Sequence, residues 1–189
     1  LSSGAVTGAH TKTRDAWLAI ANDTPDGAAY FAARGGLVED GHLVVSKPGF
    51  WANRVKDPLA ADGSAIEITD VHYGWCVTFG LDKVAFRPGR TYRLAARLRV
   101  VKAKDARPKD QAFSLGVYDN DLKKGRVGTS RRIEEVAGDG YAWYDLGEWT
   151  PGSSADRQYF WAASGHFDKS LRKRGSATVY LDAIRFSEN

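Results

Sequence analysis

The chain has 189 residues, 43% of them hydrophobic and 26% charged, which suits one globular domain and excludes a largely disordered polymer. The formal net charge is only +4, so nucleic acid is not the expected partner, although basic clusters at 97–109, 123–132 and 169–174 suit some anionic ligand. No apolar run approaches the roughly 20 residues of a membrane helix, so no membrane partner is expected. The opening Leu1-Ser2-Ser3-Gly4 lacks a charged start and an apolar block, so the sequence reads as a mature protein or an excised piece.

Residues 1–15 are small and polar and read as a loose lead-in, with one domain over 16–189. Trp17 to Ala21 suits a short strand. Turn chemistry at Pro25-Asp26-Gly27 and Asp40-Gly41 brackets a weakly patterned stretch, and His42 to Ser46 follows as a strand. Residues 47–64, with Pro48-Gly49, Pro58 and Asp62-Gly63, read as a long loop. Strands are expected at Ala65–Thr69 and Tyr73–Leu81.

After the turn Arg87-Pro88-Gly89-Arg90 comes the clearest strand, Thr91 to Val101. Tyr92, Leu94, Ala96, Leu98 and Val100 share one face; Thr91, Arg93, Ala95, Arg97 and Arg99 share the other. Period two separates apolar from basic residues, whereas a helix would scatter the arginines around its axis. Ala112–Tyr118 alternates in the same way, and Arg126–Val136 suits an edge strand. Tyr141–Trp149, Arg157–Ala163 and Ser176–Phe186 complete roughly ten strands separated by turn signals. The fold class expected is all-β: a jelly-roll β-sandwich of two antiparallel sheets.

Catalytic patterns are lacking. His10, His42, His72 and His166 are far apart and match no metal-binding spacing, and no nucleophile elbow, Walker loop or dinucleotide fingerprint is present. Cys76, the single cysteine, lies in an apolar run and reads as an inert buried thiol. Glu134 and Glu135, read as strand neighbours, point to opposite sides and cannot flank one glycosidic bond. Asp119, Asp145 and Glu148 read as turn or surface carboxylates.

Four pieces of the C-terminal half carry a resemblance: Leu115-Gly116-Val117-Tyr118-Asp119, Tyr141-Ala142-Trp143-Tyr144-Asp145-Leu146-Gly147, Tyr159-Phe160-Trp161-Ala162-Ala163, and Val179-Tyr180-Leu181-Asp182-Ala183-Ile184-Arg185-Phe186. In that order, over residues 90–186, they resemble the galactose-binding-like, carbohydrate-binding β-sandwich modules appended to bacterial polysaccharide-degrading proteins. The resemblance implies a non-catalytic carbohydrate-binding or accessory module. It also implies a secreted, periplasmic or cell-surface location and an adjoining catalytic domain. Many such modules hold a structural calcium beside the last strand, and Asp182 occupies the matching position, so it is the expected metal ligand.

Sugars present flat apolar faces ringed by hydroxyls, and Trp and Tyr match those faces. Candidate carbohydrate-binding residues are therefore Trp51, Tyr73, Trp75, Tyr118, Trp143 and Trp161, with Arg93 and Arg97 as forked anchors for the carboxylates or sulfates of an acidic polysaccharide or oligosaccharide. Two alternatives stay open: a jelly-roll polysaccharide lyase or glycoside hydrolase, and a structural interaction domain without a ligand.

Overall fold

The computed structural model describes residues 36–69, 75–84, 86–87, 89–152, 157–165 and 176–188. Eleven strands appear in chain order: β1 Leu37–Glu39, β2 Val44–Val45, β3 Ala52–Lys56, β4 Ser64–Ile68, β5 Val77–Gly80, β6 Tyr92–Lys102, β7 Gln111–Asp119, β8 Lys124–Arg132, β9 Ala142–Trp149, β10 Gln158–Ser164 and β11 Ala177–Glu188. Single 3-10 turns at Asp40–His42, Leu81–Lys83 and Ile133–Glu135 are the only helical elements among the described residues. The strands form two antiparallel sheets. One has six strands in the order β3-β4-β11-β6-β9, with β1 also paired to β11. The other has five in the order β2-β5-β10-β7-β8. The jelly-roll sandwich expected from alternation is the observed architecture.

Strand β6 shows why the sheets stack. Tyr92, Leu94, Ala96, Leu98 and Val100 are buried, while Arg93 is exposed and Arg97 and Arg99 are half-buried on the outer face. Phe113, Leu115 and Val117 of β7 and Phe160 and Ala162 of β10 close the core from the five-stranded sheet. Burying each large apolar side chain contributes about 1.5–3 kcal/mol, so alternation on these strands drives the two layers together.

Two bulges keep the apolar series inward where plain alternation would lose it. In β9, Leu94 faces Gly147 while Ala95 faces Asp145, so Leu146 is the extra residue, next to Gly147 with its φ of +109°. Tyr144, Leu146 and Trp149 all end up buried, although their spacing changes parity after Leu146. In β11 the pairing with β6 shifts between Leu181 and Ala183. Val179, Leu181, Ile184 and Phe186 thereby share the core, and Asp182 is the residue displaced.

Several expected boundaries move. The 47–64 loop contains β3, an edge strand whose burial alternates only weakly. The strand expected at His42–Ser46 shrinks to Val44–Val45, with His42 inside a 3-10 turn. That expected at Tyr73–Leu81 starts at Val77, so Trp75 lies ahead of it. The edge strand β8 ends at Arg132; Glu134 and Glu135 lie in a 3-10 turn where Glu135 accepts from the Arg132 amide at 2.7 Å, and they are not strand neighbours. The lead-in and the Trp17–Ala21 strand lie outside the described residues.

Candidate functional site

The outer face of the five-stranded sheet can be reconstructed from its register, because directly paired residues share a face. One row across the sheet runs Val44, Thr78, Trp161, Gly116, Gly128. The next holds Gly80, Tyr159, Tyr118 and Gly125. On the other side of Trp161, Ala163 faces Ser114, which faces Ser130. Trp161 therefore stands between two tyrosines and a strip of small residues.

The small residues leave space. A groove of about 430 Å³ lies over β7 and β8, walled by Trp161 and lined by Ser114, Thr129 and Ser130, by Gly125, Arg126 and Gly128, and by Leu115, Val117 and Val127. Its floor is close to bare backbone. A Cβ on Gly116 would come within 2.9–3.0 Å of the nitrogen-bearing edge of the Trp161 indole, and a Cβ on Gly128 within 2.7 Å of the Leu115 carbonyl. Both positions must be glycine for the indole and the strands to approach so closely. At Gly125 a Cβ would meet nothing within 4 Å.

Behind Trp161 the aromatics pack on one another. Trp75 stacks on it at 5.2 Å between ring centroids with 24° between planes, and also touches Tyr118 at 5.1 Å and Tyr159 at 5.5 Å. All four are half-buried. Burial and the neighbouring Tyr118 push the Tyr159 phenol up. The Trp75 indole nitrogen is buried without a hydrogen-bond partner among the described residues.

The hairpin that carries the groove is anchored from inside. The Asp119 carboxylate is buried at the end of β7 and accepts from the Asp121 and Leu122 amides at 3.0 and 2.9 Å, which fixes the turn into β8. It also accepts from the Gln158 side chain at 2.8 Å, and Gln158 in turn accepts from the Trp149 indole at 2.8 Å. The Leu122 amide is the main reason its pKa falls below the ordinary value. Asp119, read from the sequence as a turn or surface carboxylate, is thus a buried one that fixes the turn.

The opposite outer face, on the six-stranded sheet, holds most of the charge. Arg93 makes a forked pair with Asp145, at 3.0 and 2.8 Å. Arg97 pairs with Asp182 and lies 4.7 Å from the centre of the Tyr141 ring. Arg99 donates twice to one oxygen of Asp57, at 2.6 and 3.1 Å, and lies 3.9 Å over Tyr180. Tyr141 donates to the same carboxylate at 2.8 Å. Arg185 covers Trp143 at 4.6 Å. The basic face seen in the sequence is therefore matched almost arginine for arginine by acids that lie far away along the chain.

The sequence candidates consequently divide. Trp75, Tyr118 and Trp161 come together in one aromatic cluster, of which Trp161 lines the groove. Arg93, Arg97, Trp143 and Asp182 sit on the other face, so the arginines and that groove cannot share one sugar ring. Trp51 is half-buried in the loop before β3, beneath the Lys47 ammonium at 4.2 Å, and does not line the groove. Tyr73 lies outside the described residues.

Asp182 is buried, and its oxygens accept from Arg97 and from the Ala61 amide at 3.2 Å. Among the described residues, no group of three or more His, Cys, Asp or Glu could hold a metal ion. A calcium ion wants six to eight oxygens, and this carboxylate, already engaged by a cation, does not fit that role. Cys76 is fully buried and its thiol is pushed up to about 12 by burial, which keeps it in the unreactive protonated form.

Gly116, Gly125, Gly128, Ser114, Ser130, Arg126 and Tyr159 were not singled out from the sequence. Tyr159 was within reach, two residues from Trp161 and so on the same face of a strand. The glycines were not, because their meaning depends on which residue lies opposite.

No family model and no curated protein matches the sequence. Solved structures do match it. The C-terminal family 22 carbohydrate-binding module of Clostridium thermocellum Xyn10B is 13% identical over 78% of this chain and 87% of its own, with a TM-score of 0.51. A structure described as the xylan-binding domain from CBM 22 gives the same identity, coverage and TM-score. The CBM22-1 xylan-binding domain from Paenibacillus barcinonensis Xyn10C is 10% identical over 80% of this chain and 85% of its own, with a TM-score of 0.47. At such identities the first two share the β-sandwich fold with this chain, in line with the resemblance of its C-terminal half.

Proposed function

We propose that this chain is a non-catalytic carbohydrate-binding module that takes a polysaccharide or oligosaccharide in the groove over β7 and β8. One observation carries the reading: an indole wall beside a nearly bare floor, with hydroxyls around it. A sugar ring can lie against Trp161 while Ser130, and Ser114 whose hydroxyl also accepts from Gln111, exchange hydrogen bonds with its hydroxyls. From Ser130 to Arg126 the strand advances about 13 Å, enough for a short run of sugar units. Among the described residues no carboxylate, histidine or cysteine lines the groove, which favours binding over the lyase and hydrolase alternatives. Of the modules with the same fold, one is described as a carbohydrate-binding module and another as a xylan-binding domain, and this supports a polysaccharide as the ligand class. The finer proposal is that the glycan is acidic, since arginine supplies the one charged side chain among the described residues of the lining. Secretion and attachment to a glycan-degrading protein belong to the same proposal.

Affinity electrophoresis against a panel of soluble polysaccharides tests it. Gly125→Leu is the informative variant, because the new side chain has open space around its base and fills the groove without displacing the fold. Retarded migration that is lost in Gly125→Leu and in Trp161→Ala supports the reading. Retardation that survives both, with both proteins folded, sinks it.

A further inference from the structure

We propose that Arg126 selects for uronic acid units in the bound glycan, its guanidinium taking the sugar carboxylate while the ring lies against Trp161. This rests on the groove being the binding site. Strand β8 places the residue there by a bulge: Val117 faces Val127, but Tyr118 faces Gly125, which leaves Arg126 as the extra residue in the pair. Bulges re-aim side chains at the rims of sheets, and here the result is an exposed arginine at one end of the groove, with Ser114 and Ser130 toward the other.

The contrast with the other face makes Arg126 distinctive. Arg93, Arg97 and Arg99 each have their charge met by a carboxylate. Among the described residues Arg126 makes no ion pair and no carboxylate lines the groove. The acid that feels its field, Asp119, is buried, with its oxygens taken by two amides and by Gln158. That internal carboxylate holds the hairpin and so steadies the strand that carries the arginine. Exposed Lys123, Lys124 and Arg132 on the same hairpin add positive potential without entering the groove. A guanidinium offers a planar fork of donors matched to a carboxylate, which an ammonium does not. One end of the groove is therefore built for a planar anion, and the remainder for hydroxyls and a flat apolar ring.

The experiment compares dissociation constants of the whole chain for polygalacturonate, a neutral galactan and a sulfated galactan, in wild type, Arg126→Gln and Trp161→Ala. Wild type is expected to prefer the polyuronate to the neutral polymer by about tenfold, equivalent to about 1.4 kcal/mol, and to lose part of that preference at high salt. Arg126→Gln is expected to bring the ratio of the two close to one. An unchanged ratio in Arg126→Gln overturns the proposal, as does a wild type indifferent to charge. Preference for the sulfated polymer over the polyuronate overturns the carboxylate assignment. If Trp161→Ala leaves every affinity unaltered, the groove reading itself has failed. A wild type that binds neutral chains through Trp161 but shows no charge preference defeats the Arg126 assignment alone.

Discussion

The two outer faces of the sandwich use similar residues to opposite ends. On the six-stranded sheet, arginines and aromatics are locked together: Arg99 with Asp57, Tyr141 and Tyr180, Arg97 with Asp182, Arg93 with Asp145. On the five-stranded sheet, glycines replace side chains beside Trp161, and Arg126, which lines the groove, makes no ion pair among the described residues. The first face satisfies itself, and the second leaves room for something else. Counting aromatic and basic residues cannot separate them, since both faces are rich in each. What differs is whether each group already has a partner.

If that contrast is right, substitutions on the first face should act on stability, and those in the groove on binding. The largest effect is expected at Asp57. Asp57→Ala leaves the poorly exposed Arg99 guanidinium without its carboxylate and should cost about 3 kcal/mol in chemical denaturation. A loss under half of that would mean the network is loosely solvated. Trp161→Ala should weaken glycan binding by about 2 kcal/mol, roughly thirtyfold in titration calorimetry. Trp143→Ala on the opposite face should leave binding as it was, and a comparable loss there would erase the distinction between the faces.

Two tryptophans test the role of hydrogen-bond partners more finely. Trp149→Phe strands the buried Gln158 oxygen and should cost about 2 kcal/mol. Trp75→Phe removes an indole N–H that has no partner among the described residues and should cost under about 1 kcal/mol, since the orphaned donor was itself unfavourable. Equal losses in thermal melts would contradict this.

Acid titration offers a smaller signature. Burial alone would raise the Asp57 pKa, but Arg99, the Tyr141 hydroxyl and the Leu59 amide together bring it below the ordinary 3.8. A folded-state pKa below the unfolded one means stability that is complete above that ordinary value and lost as pH falls through the lowered one. Asp182 runs the other way: burial raises its pKa despite Arg97, so its contribution is present below the ordinary value and fades as pH rises through the raised one. Asp57→Asn should flatten the acid limb of the stability curve, and a limb unchanged in that variant would assign the effect to other carboxylates. Smallest of all, EDTA should leave the melting temperature unmoved, because Arg97 already neutralises Asp182. A fall reversed by calcium would contradict that.

Alternation in Thr91 to Val101 and Ala112 to Tyr118 was enough to determine a sandwich and to say which residues face its core. That pattern is local: each side chain's direction follows from its neighbour's. It misled at β3, where an edge strand with little apolar contrast read as loop, and before β5, where an apolar run read as strand too early. Trp75, Tyr118 and Trp161 could be named as aromatics, but not gathered into one cluster and separated from Trp143. Only tertiary structure decided that. Gly116 lies opposite both Trp161 and Gly128 because three strands align in one register. Arg97 meets an acid 85 residues away because β6 pairs with β11 and a bulge displaces Asp182. Register and bulges are set by closing the whole sheet, so no single strand's sequence contains them.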